Sequence, residues 1–340
     1  MASLPDGLDA GQMDMAERLR RGALALGLLP VLTIGLVLLI GLIEPRFINQ
    51  LNIFNVLRNS AFLMIAAAGQ MLVLIVGGFD LSVGAVAALT SVTVAMVMAA
   101  LLVAMPDQVM LVIWLGVFAG LGCGLVVGLV NGLCVAYLRV SPFMVTLGTL
   151  SVASGVALYM TTGIPIYGMP EEFTKGFGRA LFLGLPLPFW IAIAFLVAVW
   201  IIQRQTKLGR YLYAIGGNMQ AARVSGVPVT FYLVTAYVLC GLLASVTGIL
   251  LTARVGSGQA TVGTTLMLES IAAAVIGGVS LRGGVGRVEM VALSALFLSI
   301  ITNGMNLLKI DSKMQPVVMG IVLIVSVALE TWNERRRVRG

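Results

Sequence analysis

An acid embedded in an apolar chain is the first candidate for chemistry. The run Gly77-Gly78-Phe79-Asp80-Leu81-Ser82-Val83-Gly84 interrupts a long apolar stretch and puts Asp80 at or near membrane depth. A carboxylate at the centre of a bilayer costs ~2.5 to 3.5 kcal/mol, so Asp80 must lie at a helix end, be paired or line water. Two roles fit. Asp80 or Ser82 accepts from the free N–H groups opening the next helix, an interaction worth ~0.5 to 2 kcal/mol; or Gly77, Gly78, Asp80 and Ser82 belong to a gate or a translocation path. Uncharged polar side chains on other apolar runs, among them Asn131, Thr146, Thr149 and Asn303, suit a neutral hydroxylated solute. The same groups also serve as hydrogen bonds between helices.

A second candidate is the polar segment 203–229, which contains Asn218-Met-Gln-Ala-Ala-Arg-Val-Ser-Gly226. Asn218 is a good N-cap, Ala221 and Ala222 favour helix, and Gly226 followed by Pro228 is a natural stop. The segment therefore predicts a helix of about two turns, ~10 Å long. Its residues Asn218, Gln220, Ala221, Ala222, Arg223 and Gly226 are candidates for docking another protein, and a solvated connector is the competing reading.

What is missing excludes several chemistries. With no histidine in the chain, Ser-His and Cys-His catalysis, His-bound zinc or haem and histidine proton relays are ruled out. No lysine follows a glycine, so the phosphate-binding G-x-x-x-x-G-K-[ST] loop is absent and ATP hydrolysis by this chain alone is not expected. Cys123, Cys134 and Cys240 lie in apolar runs without C-x-x-C spacing and read as small buried hydrophobes. No cofactor or metal is expected. The net charge of +7 does not call for nucleic acid, because the basic residues sit at the ends of apolar runs.

The elements that must position these residues are membrane helices. Hydrophobic residues make up 59% of the chain and charged ones 10%, against about 25% charged in a soluble domain. Ten apolar stretches can be read, at 23–43, 51–76, 82–104, 110–137, 143–162, 187–202, 230–252, 266–281, 288–308 and 316–332. About twenty apolar residues in a helix cross the hydrocarbon layer. The expected fold is an all-α polytopic membrane protein of about ten transmembrane helices. It divides into an N-terminal segment 1–22, one transmembrane domain 23–332 with an external loop at 163–186, and a basic tail 333–340. The first run, about twenty residues long and without a small-residue cleavage site, is a span rather than a secretory signal.

With both termini cytoplasmic, fourteen of the 21 Lys and Arg residues fall inside. Seven fall outside: Arg46, Arg58, Lys175, Arg179, Arg254, Lys309 and Lys313. This excess follows the positive-inside rule and places the chain in a cytoplasmic membrane.

Two glycine patterns concern packing. Gly116, Gly120, Gly124, Gly128 and Gly132 return every four residues to nearly one helix face, forming a groove that admits another helix closely, within the subunit or between subunits. The stretches 77–84 and 277–286 are helix breaks or partly re-entrant, and they align with Gly77 on Gly277 and Gly78 on Gly278.

These segments carry a family resemblance. GGFDLSVG, SPFMVTLGTLSVASGVALYMTTGIPI (141–166), AIGGNMQAARVSGV (214–227) and GGVSLRGGVG (277–286) resemble the corresponding stretches of ribose-type ABC sugar-import permeases, in order from about 23 to 332. The resemblance implies the permease fold, a second permease subunit, identical or different, an ATPase partner with two nucleotide-binding modules, and a periplasmic or extracellular sugar-binding protein. It also implies that 218–226 is the ATPase-coupling helix: Gln220-Ala221-Ala222 with Gly226 matches the E-A-A-x-x-x-G loop of ABC importers, with glutamine in place of the acid. Two other classes compete. An ion-coupled carrier would keep ionisable relays in its helices, where only Asp80 and Glu269 qualify, and an intramembrane enzyme would need a serine elbow or Cys-His pair that the sequence lacks.

Overall fold

Lipid offers the backbone no hydrogen-bond partner, so a chain this apolar folds as helices. The computed structural model describes residues 28–321, together with 324, 325 and 328. Among these, seven helices are long and apolar enough to cross a membrane: α2 Gln50–Ile75, α3 Val83–Ala104, α4 Val109–Ala136, α5 Pro142–Thr161, α6 Leu187–Gln205, α9 Val229–Val255 and α11 Val288–Leu307. Two apolar helices are shorter, α1 Leu28–Ile43 and α10 Leu266–Ile276. The polar segment after α6 forms α7 Lys207–Gly217 and α8 Met219–Val224.

The expected spans agree with the seven long helices to within a few residues. The eighth does not. It is helical only over the 11 residues of α10, ~16 Å at ~1.5 Å per residue, about half a bilayer. Residues 257–265 precede it as irregular backbone, anchored at its start, where Ser257 and Gly258 are buried and Gly258 is bridged to Ile166, and exposed at Thr261, Thr264 and Thr265. Of the first span, residues 23–27 lie outside the described part. So do the N-terminal segment 1–22, the tail 333–340 and much of 316–332.

Helix α2 is the centre of the bundle. Its most apolar window is 89% buried, against 17% for α5, so α2 is packed on all sides while α5 keeps an open face. It lies against α6, α9, α10 and α11. We call the end where α2 begins the upper end and the end where it finishes the lower end. The loop 163–186, at the upper end, is ordered. It carries a turn at Glu171–Phe173, a wide helical turn at Thr174–Arg179 and a two-stranded hairpin, β1 Leu181–Phe182 with β2 Leu185–Pro186.

Candidate functional site

Asp80 is 1% exposed in the short loop joining α2 to α3. Its Oδ1 accepts from the Ser82 amide at 2.8 Å and from the Ser82 hydroxyl at 2.6 Å. The turn is thus closed by Asp80 rather than by Ser82, which occupies the N-cap position without a side-chain cap bond. The network continues across two helices. The Asn131 amide on α4 donates to Ser82 Oγ at 3.0 Å, and the Thr149 hydroxyl on α5 donates to Asn131 Oδ1 at 2.8 Å. Four side chains therefore form one directed chain of donors ending on the carboxylate. Thr149, half-buried on the least covered helix, is its outward end.

Not every polar candidate joins this chain. Thr146 bonds to the carbonyl of Pro142 in its own helix, 2.9 Å away. Asn303 lies at the upper end, in a reciprocal amide pair with Asn52. A separate cavity of about 260 Å³ lies among α2, α9, α10 and α11, lined by Asn59, Thr265, Glu269, Ser299, Thr302 and Gln315 among others, with no Lys or Arg. Such a lining offers donors and acceptors to hydroxyl groups.

The two glycine stretches are helix stops of one kind. Helix α2 ends with Gly77 at φ 77°, its amide reaching Leu74 O at 2.9 Å and that of Gly78 reaching Val73 O at 3.0 Å. Helix α10 ends with Gly278 at φ 77°, bonded to Val275 O at 2.8 Å, and Val279 bonded to Ala274 O at 3.0 Å. This paired bonding satisfies the last carbonyls of a helix. The structure thus matches Gly77 with Gly278, one residue off the alignment read from the sequence. The neighbouring glycines meet close approaches instead: a Cβ on Gly78 would lie 2.5 Å from the Tyr237 hydroxyl, and one on Gly277 would lie 2.9 Å from Val291.

In the segment 203–229, Asn218 accepts from the Ala221 amide at 2.9 Å, and Gly226 at φ 81° ends α8 with the same stop. The exposed residues of α8 are Met219, Gln220, Ala221, Arg223 and Val224. Ala222 corrects the expectation: it is 5% exposed and turned into the protein, so it is no part of a docking face. Sequence reasoning missed α7 entirely. The signal was present in Thr206, whose hydroxyl caps the helix by accepting from Gly209 N at 3.2 Å.

The glycine row on α4 is buried within the subunit. Its upper members meet α3, where a Cβ on Gly120 would lie 2.5 Å from Val94. Its lower members meet α9: a Cβ on Gly124 would collide with Gly241 O, one on Gly128 would lie 2.7 Å from Tyr237 O, and one on Gly132 2.8 Å from Val234 Cα. Hydroxyl pairs tie α3 to α9 alongside, Thr90 with Ser245 at 2.9 Å and Thr252 with Ser91 at 2.7 Å.

The family model described as the permease component of branched-chain amino acid transport systems matches residues 52–327. The chain is 42% identical over 296 residues to the ribose import permease protein RbsC of Bacillus subtilis (strain 168), covering 87% of this chain and 89% of that one. The chain belongs to the ribose-type monosaccharide ABC permease family. Other members are the L-arabinose transport system permease protein AraH of Escherichia coli (strain K12), 35% identical with 86% of each chain covered, and its D-allose transport system permease protein AlsC, 32% identical with 87% and 88% covered. As a permease of this family with several membrane-spanning helices, it is a multi-pass protein of the bacterial inner membrane.

Proposed function

We propose that this permease carries a monosaccharide of the ribose, arabinose or allose class inward, while a separate ATPase hydrolyses the ATP. The 42% identity to a ribose import permease over 87% of the chain carries this reading. In it the chain crosses the membrane ten times. Helix α1 with residues 23–27 makes the first crossing, residues 257–276 the eighth and 316–332 the tenth, within a single domain 23–332 flanked by cytoplasmic 1–22 and 333–340. The lower end is cytoplasmic. The described Lys and Arg residues are evenly shared between the ends, and the terminal ones, near 18–21 and 335–339, supply the excess that sets the orientation.

The exposed face of α8 docks an ATPase carrying two nucleotide-binding modules, a second permease subunit completes the pathway, and a sugar-binding protein delivers solute at the upper end. Residues near Gly77, Gly78, Asp80, Ser82, Asn131, Thr146 and Thr149 flank the path. Thr149 reaches it, and Asp80 holds the chain behind Thr149 in place. The site is uncharged apart from Asp80, which suits a neutral polyol better than an ion. Reconstitution in proteoliposomes with its ATPase and sugar-binding partners should give ATP-dependent uptake of one of radiolabelled ribose, arabinose or allose. The permease alone should hydrolyse no ATP above an empty-vector preparation. Uptake that persists without ATP and collapses with a protonophore would overturn this function.

A further inference from the structure

The exposed helix α8 meets the bundle through its buried Ala222 and through its partner helix α7, which rests backbone to backbone on one hydrogen bond of the bundle. Asn218 ends one helix and begins the next: its amide donates to Ala214 O at 3.1 Å while its side chain caps α8. Only Asn218 separates the two. At the other side of α7, Gly284 N donates to Ile75 O at 2.8 Å, joining the loop after α10 to the last turn of α2. Gly216 rests directly on that bond, and a Cβ there would collide with both Ile75 O and Gly284 N. Gly283 completes the contact: a Cβ on it would lie 3.0 Å from Gly216 O, Gly77 N and Ile75 O alike.

A second tie runs parallel to the first. The Tyr213 hydroxyl on α7 donates to Gly286 O at 2.5 Å and accepts from Gln203 Nε2 at 2.9 Å, and Gln203 Oε1 accepts from Val288 N at 3.1 Å. Burial, then the nearby Glu289, pushes the Tyr213 hydroxyl above its ordinary pKa, so it stays a donor. Helix α7 is thereby fixed to the last turn of α2 and to the loop after α10, and the loop that follows α2 leads from Gly77 within three residues to Asp80.

We infer that α7 is the lever through which movement of α8 reaches the Asp80 loop, and that Gly216 and Tyr213 are positioning residues for coupled transport. The inference rests on the reading that α8 docks an ATPase. A displaced α8 cannot shift alone, because its partner helix is packed backbone to backbone on the bond between the last turn of α2 and the loop after α10. Coupling of this kind needs a contiguous element that both sites bias.

The test compares Gly216→Ala with Gly217→Ala in the full complex, using radiolabelled ribose, arabinose and allose in parallel. Both changes fall in the last turn of α7 and raise helix propensity equally, but a Cβ at Gly217 meets nothing within 4 Å. Gly216→Ala should capture the ATPase normally while sugar moved per ATP hydrolysed falls roughly two- to thirty-fold; Gly217→Ala should keep the wild-type ratio. An unchanged ratio in Gly216→Ala, lost ATPase capture, or an equal fall in Gly217→Ala would overturn the inference. If Gly216→Ala does not reach the membrane, Tyr213→Phe decides, since it removes one hydroxyl without a clash: a lowered ratio supports the lever and a wild-type ratio ends it. Failure of the wild-type chain to capture any ATPase would instead remove the docking reading, and the lever with it.

Discussion

The side-chain amides of Asn52 and Asn303 form a reciprocal pair, each Nδ2 donating to the other's Oδ1 at 2.9 Å. It fastens the start of α2 to the end of α11, and Asn52 also donates to Phe47 O at 3.0 Å. The pair engages the oxygen and one N–H of Asn303, so Asn303 acts as a fastener between the two helices. Asn303→Leu should lower stability by about 1 kcal/mol, in the range measured for interhelical bonds in membranes, with uptake retained. Removing both partners, Asn52→Leu with Asn303→Leu, should recover part of that loss. Thermal unfolding in detergent alongside uptake in cells checks both statements.

Asp80→Asn tests what the carboxylate supplies. Asparagine keeps an oxygen for the Ser82 amide and hydroxyl, so expression should persist and uptake should fall by no more than about twofold. Asp80→Leu leaves those donors buried without an acceptor and should cost ~1 to 3 kcal/mol, seen as a reduced protein level. Full expression of the Asn variant with no uptake would assign the charge itself to the path.

On α8 the orientation of each side chain separates docking from folding. Ala221 is exposed and Ala222 buried. Ala221→Trp should leave protein level unchanged and weaken ATPase capture by roughly five- to 150-fold, the equivalent of overfilling a packed groove by ~1 to 3 kcal/mol. Ala222→Trp should instead lower the melting temperature of the permease itself. Normal capture and normal uptake in Ala221→Trp would take this face out of the docking site.

Orientation is checked with single cysteines in a cysteine-free background. Positions 175 and 179 should react with an impermeant thiol reagent in intact cells, and position 223 only after lysis. Reaction at 223 in intact cells would reverse the assignment of the two ends.

Much of the architecture is legible in the sequence because it is local. Apolar length sets the seven long helices, and Asn218 with Gly226 sets α8, since a cap and a stop act within a few residues. The failures share a cause in tertiary contact. Helix α7 carries Gly209 and Gly216, poor helix formers, because neighbouring backbones leave no room for a Cβ, and that contact is invisible in the sequence. The stop of α10 is local, at the glycine pair 277–278, but nothing local shows that the stretch before it, 257–265, completes the crossing as irregular backbone. The glycine pairs at 77–78 and 277–278 look identical in sequence, yet the residue taking positive φ is the first in one pair and the second in the other. In the candidate site, Asp80 and Ser82 were legible from the broken apolar pattern. Their link to Asn131 and Thr149 depends on how three helices pack, and no spacing records that.

The glycine row on α4 has a mechanical consequence. Where Gly124, Gly128 and Gly132 meet α9, the surfaces in contact are largely peptide backbone, with few rotamers to readjust. Side chains let packed helices slip past one another in small steps, and this seam has almost none. Helices α4 and α9 should therefore travel as one stiff plank whenever the permease changes shape. The joints are left to the segments at the plank's ends: residues 137–141, where Arg139 sits at φ 55°, and the irregular stretch 256–265.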